Sequence, residues 1–213
     1  MGAGSSPGSS PGRPGCRGGA EKCEKASKIL IRDFGEIEKL QVSQKGPGDF
    51  VTNADLKAES IIREELQTAR PGYGLLMEEG GEIEGSDKTH RWIVDPLDGT
   101  TNFMHGIPHF AISIALEREG RLVSGLIYNP VTDEMFLAER GQGAFSHNTR
   151  LRVGGRNRLS EAVFACGAPH GERAGRNEFI TEMETLLPKV AGIRRFGAAA
   201  LDLSLIHISE PTR

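Results

Sequence analysis

Asp95 and Asp98 are the residues of this 213-residue sequence whose types and spacing most clearly suit chemistry. They lie three positions apart at the end of the apolar run 91–94 and are followed by Gly99-Thr100-Thr101. Carboxylates supply the oxygen ligands that Mg2+ prefers, and backbone N–H groups at a turn and helix start bind anions. The pattern therefore indicates metal ions and a phosphate group in one site. It also fits an ordinary turn, because Pro96 fixes one backbone dihedral and Asp-Gly suits a tight turn.

Three further segments carry residues that suit the same chemistry. They are the segment 45–55 with its two aspartates, the turn Met77-Glu78-Glu79-Gly80, and the late segment Arg195-Phe-Gly-Ala-Ala-Ala-Leu-Asp202. Together with residues 92–103, and in this order, they resemble the motifs of the inositol monophosphatase family of Mg2+-dependent, lithium-sensitive sugar-phosphate phosphatases. The resemblance covers roughly residues 21–202 and is greatest to bacterial members.

The resemblance implies two to three Mg2+ ions as cofactors. Glu78, Asp95 and the backbone carbonyl of Leu97 would hold the first ion. Asp95 would also bridge to a second ion, which Asp98 ligates. Several carboxylates brought close together repel one another strongly unless a cation lies between them, so elementary electrostatics favours the same assignment.

The resemblance also implies a catalytic set. Thr100 resembles the threonine that, with Glu78, positions and deprotonates the attacking water, and Asp55 resembles the residue that orients this threonine. Asp55 equally fits a helix cap, because Thr52-x-x-Asp55 is a capping-box pattern. Both roles can hold, since a capping carboxylate has a second oxygen.

The phosphate would be bound by backbone N–H groups of the Gly-Thr-Thr turn, where a side chain on Gly99 would keep the backbone from the ligand. The late Gly-Ala-Ala run would contact the inositol ring, although such a run also fits close helix packing. The substrate-binding set implied by the resemblance is Asp95, Gly99, Thr100, Thr101, Gly197, Ala198 and Ala199.

Lys45 and Asp49 flank a Gly-Pro-Gly sequence and are predicted on an exposed loop. The resemblance implies a mobile flap near a third, weaker Mg2+, whereas composition alone indicates a solvated loop. His105 and His109 have no spacing that requires a metal, and both are interpreted as structural.

The spacing of apolar residues predicts elements that position these groups. Amphipathic helices are predicted for 26–37, 54–69 and 179–190, buried strands for 74–77, 91–94 and 163–166, and a hairpin around Glu119-Gly120. Glu78 and Asp95 are thereby predicted at strand ends. The expected class is α+β with mostly antiparallel strands, and the resemblance implies a layered α-β-α-β-α sandwich whose second α-β part is incomplete.

The predicted domain is 21–202. Residues 1–20 are almost all Gly, Ser and Pro and are predicted to be disordered. Residues 203–213 resemble a translated sequencing-library adapter and are expected to be an artefact. The family continues into a W-D-x-A-A-G segment whose Asp ligates the second ion, so the chain is expected to be C-terminally truncated and of uncertain activity.

Composition excludes several function classes. The net charge is −3 and the basic residues are scattered, which gives no indication of nucleic-acid binding. No apolar run has the length of a membrane span. Three cysteines without metal-like spacing favour a reduced, cytoplasmic protein, and Cys166 is predicted to be buried.

The predicted function is hydrolysis of myo-inositol monophosphate, a small phosphate monoester, by a protein that is homodimeric when full length. The alternatives are a related sugar-bisphosphate or 3'-phosphoadenosine nucleotide phosphatase, and a non-catalytic binding module.

Overall fold

The computed structural model describes residues 17–36, 42–46, 49–147, 149–152, 155, 157–169 and 174–206. The helices of this part of the chain are α1 (Arg17–Phe34), α2 (Asn53–Ala69), α3 (Thr100–Met104), α4 (Arg176–Leu186) and α5 (Ala199–Ile206). The first seven strands are β1 (Val42–Gly46), β2 (Asp49–Thr52), β3 (Tyr73–Met77), β4 (Gly81–Ile83), β5 (Asp87–Asp98), β6 (Ala111–Arg118) and β7 (Arg121–Asn129). The remaining strands are β8 (Glu134–Glu139), β9 (Gly143–Ser146), β10 (Thr149–Arg150), β11 (Val163–Ala165) and β12 (Gly192–Arg194).

An eight-stranded sheet in the order β10-β9-β8-β7-β6-β5-β3-β4 forms the centre of the molecule. Its neighbouring strands are antiparallel except for β3 and β5, which run parallel. Carboxyl ends of parallel strands meet at one edge, so the residues that follow Met77 and Val94, which pair in register, become neighbours. The predicted α+β class with mostly antiparallel strands is confirmed.

Helices α1 and α2 pack together and cover the sheet because each presents a continuous apolar face. Leu30 of α1 and Ile62 and Leu66 of α2 are fully buried. The Phe34 ring lies 5.6 Å from that of Phe103 and 5.1 Å from that of Phe110. Each such side chain contributes about 1.5–3 kcal/mol on burial, so α2 has a fixed place from which it can position polar groups.

Strand β5 continues further than the sequence predicted. Asp95 pairs with Ser113 and Asp98 with Ala111, and the register shifts between the two pairs. The prediction that Asp95 lies at a strand end is therefore wrong: pairing with β6 resumes after a bulge, which absorbs the extra residue at Pro96-Leu97. Glu78, in contrast, directly follows the last residue of β3, as predicted.

The predicted loop around Lys45 and Asp49 is a hairpin. The backbone of both residues lies in antiparallel strands, where Gln44 pairs with Phe50 and Gly46 with Asp49. Valine and phenylalanine favour extended pairing, and a two-residue connection is typical of hairpins. The side chains of Lys45 and Asp49 and residues 47–48 lie outside the described part, so the mobile flap stays a prediction.

The chain ends also differ from expectation. Helix α1 begins at Arg17, so residues 17–20 are helical rather than disordered. The buried Cys23, Ala26 and Leu30 fix the helix, and adding residues to an existing helix costs little. Residues 1–16 lie outside the described part. Helix α5 includes 203–206, and Ser204 is buried; the origin of residues 203–213 stays a prediction.

Apart from the eight-stranded sheet, β11 and β12 form a small two-stranded sheet. Strands β11 and β12 pair in parallel, and α4 has no buried residue. Val163 is 57% exposed, and Cys166 is half-buried rather than buried as predicted, since β11 belongs to a two-stranded sheet and not to the large central one. The predicted hairpin is confirmed, with Glu119 and Gly120 both at positive φ. No helix of the described ranges is both long and apolar enough to cross a bilayer.

Candidate active site

Glu78 and Asp95 directly follow Met77 and Val94, the last residues at which β3 and β5 pair, and lie side by side. A hydrogen bond joins the two carboxyl groups. Burial, followed by the negative charges of Glu78 and Asp98, raises the pKa of Asp95 to about 8. A carboxyl group in these surroundings holds its proton at neutral pH unless a cation replaces it.

Asp98 connects this edge to the late segment of the sequence. Its Oδ2 accepts a hydrogen bond of 2.6 Å from the backbone N–H of Ala200, and the N–H of Ala199 also donates to it. Burial raises the pKa of Asp98, and these two hydrogen bonds oppose the increase. The structure therefore brings the start of α5, with the predicted ring-binding residues, to the predicted metal ligands.

Thr100 and Asp55 contact each other as the sequence predicted. Thr100 Oγ1 lies 3.1 Å from Asp55 Oδ1 and 3.1 Å from the carbonyl oxygen of Leu97. Its single proton can serve only one acceptor fully. The other oxygen of Asp55 accepts from the backbone N–H and the hydroxyl of Thr52, which completes the capping box. Asp55 thus caps α2 and contacts Thr100 at once, while burial raises its pKa.

Glu78, Asp95 and Asp98 suit divalent ions because their negative charges lie close together. Among the described residues, no three His, Cys, Asp or Glu side chains form a group able to hold one ion. The predicted ligand set differs from such a group, because it divides Glu78, Asp95 and Asp98 between two ions and adds the carbonyl of Leu97. The neighbouring negative charges that raise the pKa of Asp95 are the charges that a cation would neutralise.

Gly99 stands at the junction of β5 and α3, and the structure gives two reasons for a glycine there. Its φ is +95°, in the left-handed region. A Cβ would lie 3.1 Å from the carbonyl oxygen of His109, 3.2 Å from Cβ of Ala198 and 3.3 Å from the carbonyl oxygen of Gly197. Close packing between the Gly-Thr-Thr turn and the late segment therefore requires this glycine, whether or not a ligand is bound.

Asn102 is a residue whose role sequence reasoning missed. It is 7% exposed, and its Nδ2 donates hydrogen bonds of 2.7 Å to the carbonyl oxygens of His109 and Phe196. A Cβ on Gly197 would lie 3.0 Å from its Oδ1. Little in the sequence indicates this role, because Asn after a turn also fits local capping. Asn102 joins α3 to the segment that leads into α5.

Glu59 of α2 is a second missed residue. It is 7% exposed, and its Oε2 accepts a hydrogen bond of 2.8 Å from the backbone N–H of Glu79. The carboxylate thus contacts the turn that carries Glu78. A Glu inside an amphipathic helix gives no sequence signal of such a partner, which lies 20 residues away.

His105 contacts its own helix, whereas His109 contacts the late segment of the chain. His105 Nδ1 contacts the carbonyl oxygen of Thr101 at 2.7 Å, and the His109 ring packs on Phe196 at 5.2 Å. His109 Nε2 lies 4.0 Å from Asp202 Oδ1. The described contacts are consistent with structural roles for both.

Comparison with known proteins gives a consistent result. A sequence model of the inositol monophosphatase family matches residues 19–209. An inositol-1-monophosphatase of Rhizobium meliloti is 60% identical over 182 residues, which are 85% of this chain and 68% of that protein. The inositol-1-monophosphatase of Caulobacter vibrioides is 57% identical over 87% of this chain and 73% of its own length. A protein of Vibrio cholerae named Nus factor SuhB is 43% identical over 84% and 67%.

Solved structures show the same relationship. The extragenic suppressor protein suhB of Bartonella henselae has a TM-score of 0.88 and 53% identity, over 91% of this chain and 74% of that one. A Thermotoga maritima IMPase has a TM-score of 0.79 and 30% identity, over 90% and 71%. The predicted fold type is confirmed by these neighbours.

Proposed function

The chain belongs to the inositol monophosphatase family, whose members are phosphatases, and we propose that it hydrolyses myo-inositol monophosphates to inositol and phosphate with Mg2+. The observation that carries the proposal is the crowding of the negative charges of Glu78 and Asp98 against the half-buried carboxyl of Asp95. Such a concentration of negative charge calls for a cation, and a phosphate ester supplies a ligand for that cation.

In this proposal Glu78, Asp95 and the Leu97 carbonyl hold one Mg2+, and Asp95 and Asp98 contribute to a second. When bound, such ions activate water and neutralise charge on the phosphate and on the departing alkoxide. A third, weaker ion near Lys45 and Asp49 and inhibition by Li+ belong to the same proposal.

Thr100 and Glu78 orient the attacking water. Asp55 is the stronger acceptor for the Thr100 proton because a carboxylate accepts more strongly than a carbonyl. With its proton directed to Asp55, Thr100 Oγ1 accepts a hydrogen bond from water. Glu78, which is exposed at the edge of the sheet, accepts the proton that the water loses.

The phosphate and the polyol bind on opposite sides of Asp98. Backbone N–H groups of Gly99, Thr100 and Thr101 are proposed to bind the phosphate. Gly197 and Ala199 are exposed and are proposed to contact the ring, whereas Ala198 is fully buried and packs close to Gly99. Asp98 accepts hydrogen bonds at the start of α5, so the two binding segments keep a fixed separation during turnover.

Two further parts of the proposal concern the protein as a whole. In the described part of the chain, neither Cys23 nor Cys166 forms a disulfide, which fits a reducing compartment such as the cytoplasm. A homodimer is proposed from the family resemblance, and sedimentation of the purified chain tests it. One relative is named Nus factor SuhB, and that name suggests a role in a protein or RNA assembly as an alternative. The net charge of −3 does not favour nucleic-acid contact.

A substrate comparison tests the proposal. Phosphate release is measured with inositol 1-phosphate, fructose 1,6-bisphosphate and adenosine 3',5'-bisphosphate, each with Mg2+, with a chelator, and with Mg2+ plus Li+. We expect kcat/KM for inositol 1-phosphate to exceed the other two at least tenfold, with loss in chelator and inhibition by Li+. A higher value for either bisphosphate would favour that alternative. Absence of release from all three would favour a non-catalytic binding module.

A further inference from the structure

We propose that Glu59 is a positioning residue of the metal site, whose carboxylate holds the turn that carries Glu78. The inference rests on the proposed function and deepens it, since nothing in the family resemblance assigns a role to Glu59. It acts through the backbone of Glu79 rather than on an ion or the substrate.

The contact between Glu59 and the turn is close on both carboxylate oxygens. Oε2 accepts the 2.8 Å hydrogen bond from the Glu79 N–H, and a Cβ added to Gly80 would lie 3.0 Å from Oε1. Glu59 is 7% exposed, so water contributes little to its hydrogen bonding. Hydrogen bonds to a charged acceptor are shorter and stronger than neutral ones, which makes this contact an effective tether for the turn.

The pairing of Met77 with Gly81 closes the turn at its base, and Glu59 contacts the tip of the turn between these two residues. Residues 78–80 connect β3 to the short strand β4, and Glu78 itself is exposed. Metal ligands must be held within about 0.5 Å of their productive positions. When a residue that orients a metal ligand is removed, metal affinity commonly falls by about 10- to 100-fold.

Helix α2 positions both sides of the proposed water-orienting pair. Asp55 and Glu59 are four residues apart, so they lie on one helix face about one turn apart. Asp55 contacts Thr100, and Glu59 contacts the residue after Glu78. The buried Ala58 and Ile62 of α2 fix the helix against the core. A single rigid element thereby sets the separation of Thr100 and Glu78.

Mg2+ binding without substrate tests the proposal. The variants are Glu59→Ala, Glu59→Gln, which keeps a hydrogen-bond acceptor, and Glu64→Ala, a control at an exposed position of the same helix. Titration calorimetry on the full chain gives the Mg2+ Kd of each. We expect Glu59→Ala to weaken binding at least tenfold, Glu59→Gln to remain within threefold of the unaltered chain, and Glu64→Ala within twofold.

Amide hydrogen exchange provides a second readout that does not depend on metal. Exchange at Glu79 should accelerate at least tenfold in Glu59→Ala, while the amides of β6 keep their protection and show that the chain is folded. A shift in Kd below tenfold for Glu59→Ala, or an equal loss in Glu59→Gln, would overturn the proposal. Unchanged exchange at Glu79 would overturn it as well. Failure of the unaltered chain to bind Mg2+ would instead overturn the proposed function, and the exchange data would still decide whether Glu59 holds the turn.

Discussion

Asp95 is the residue at which burial and charge act most strongly together. Burial first, and then the negative charges of Glu78 and Asp98, raise its pKa to about 8. An aspartate in an unfolded chain has a pKa of about 3.9. The folded chain therefore binds more protons than the unfolded chain between these values. The stability associated with Asp95 is fully present below about pH 4 and is lost as the pH rises through the folded pKa.

This linkage predicts how stability depends on pH. In chelator, the free energy of unfolding measured with urea should fall between pH 5 and pH 8, and saturating Mg2+ should reduce the fall by replacing the proton. In Asp95→Asn the slope in chelator should be shallower, because the amide does not titrate. The same slope in Asp95→Asn and in the unaltered chain would contradict the assignment of Asp95 as the principal titrating group.

Thr100 gives a second prediction at this scale. Thr100→Val keeps the shape of the side chain but removes the hydroxyl that contacts Asp55, so kcat should fall about 100-fold or more, the range typical of a lost proton-transfer contribution. Thr100→Ser keeps the hydroxyl and should retain most of the activity. Steady-state kinetics on both variants checks this; wild-type kcat in Thr100→Val would remove Thr100 from the mechanism.

Sequence reasoning reached those residues whose signals are local and missed those whose partners are distant. The capping box of Thr52 and Asp55 is a pattern of adjacent residues, and it was predicted correctly. Asn102 and Glu59 act on backbone groups 94 and 20 residues away. Such pairings depend on how the sheet and helices assemble, which a single sequence does not specify.

At the scale of elements, the junction of β5 and α3 is where the two halves of the site meet. Gly99 has positive φ and packs against His109 and Ala198. Gly120 has a positive φ of 74°, with no heavy atom within 4 Å of an added Cβ, and is a matched control.

Replacing these two glycines separates backbone strain from packing. Gly120→Ala should cost roughly 1–2 kcal/mol of unfolding free energy from the left-handed conformation alone. Gly99→Ala should cost about 1–3 kcal/mol more, because the new methyl group overpacks the junction. Urea unfolding of both variants measures the difference. Equal losses would show that the contacts of Gly99 with the late segment are unimportant for stability.

The elements themselves were predicted where apolar spacing is regular, as in α2 and the β6–β7 hairpin. The end of β5 was predicted wrongly, because a bulge keeps Asp98 paired with Ala111 beyond Pro96. The hairpin of β1 and β2 was also missed, because glycine and proline composition indicated a loop while flanking valines and phenylalanine favour strands.

At the level of the whole molecule, four elements, β3, β5, α2 and α5, converge on the candidate site. The parallel pair β3 and β5 aligns Glu78 with Asp95, α2 contacts both sides of this edge, and α5 contacts Asp98. The sequence indicated which residues take part through the family resemblance. It did not indicate that Asp98 reaches Ala200, a contact across 102 residues.

Phosphate release is proposed to require Mg2+ that the half-buried carboxylate of Asp95 binds. The most direct test is the initial rate of phosphate release from inositol 1-phosphate, measured while Mg2+ is titrated into chelator-treated protein, for the unaltered chain, Asp95→Asn and Asp133→Asn. Asp133 is an exposed turn residue with positive φ, a conformation that Asn tolerates. Under this proposal we expect no release before Mg2+ is added, a rate in Asp133→Asn within twofold of the unaltered chain, and a loss of at least 100-fold in Asp95→Asn. Release in chelator, or similar rates for the two variants, would contradict it.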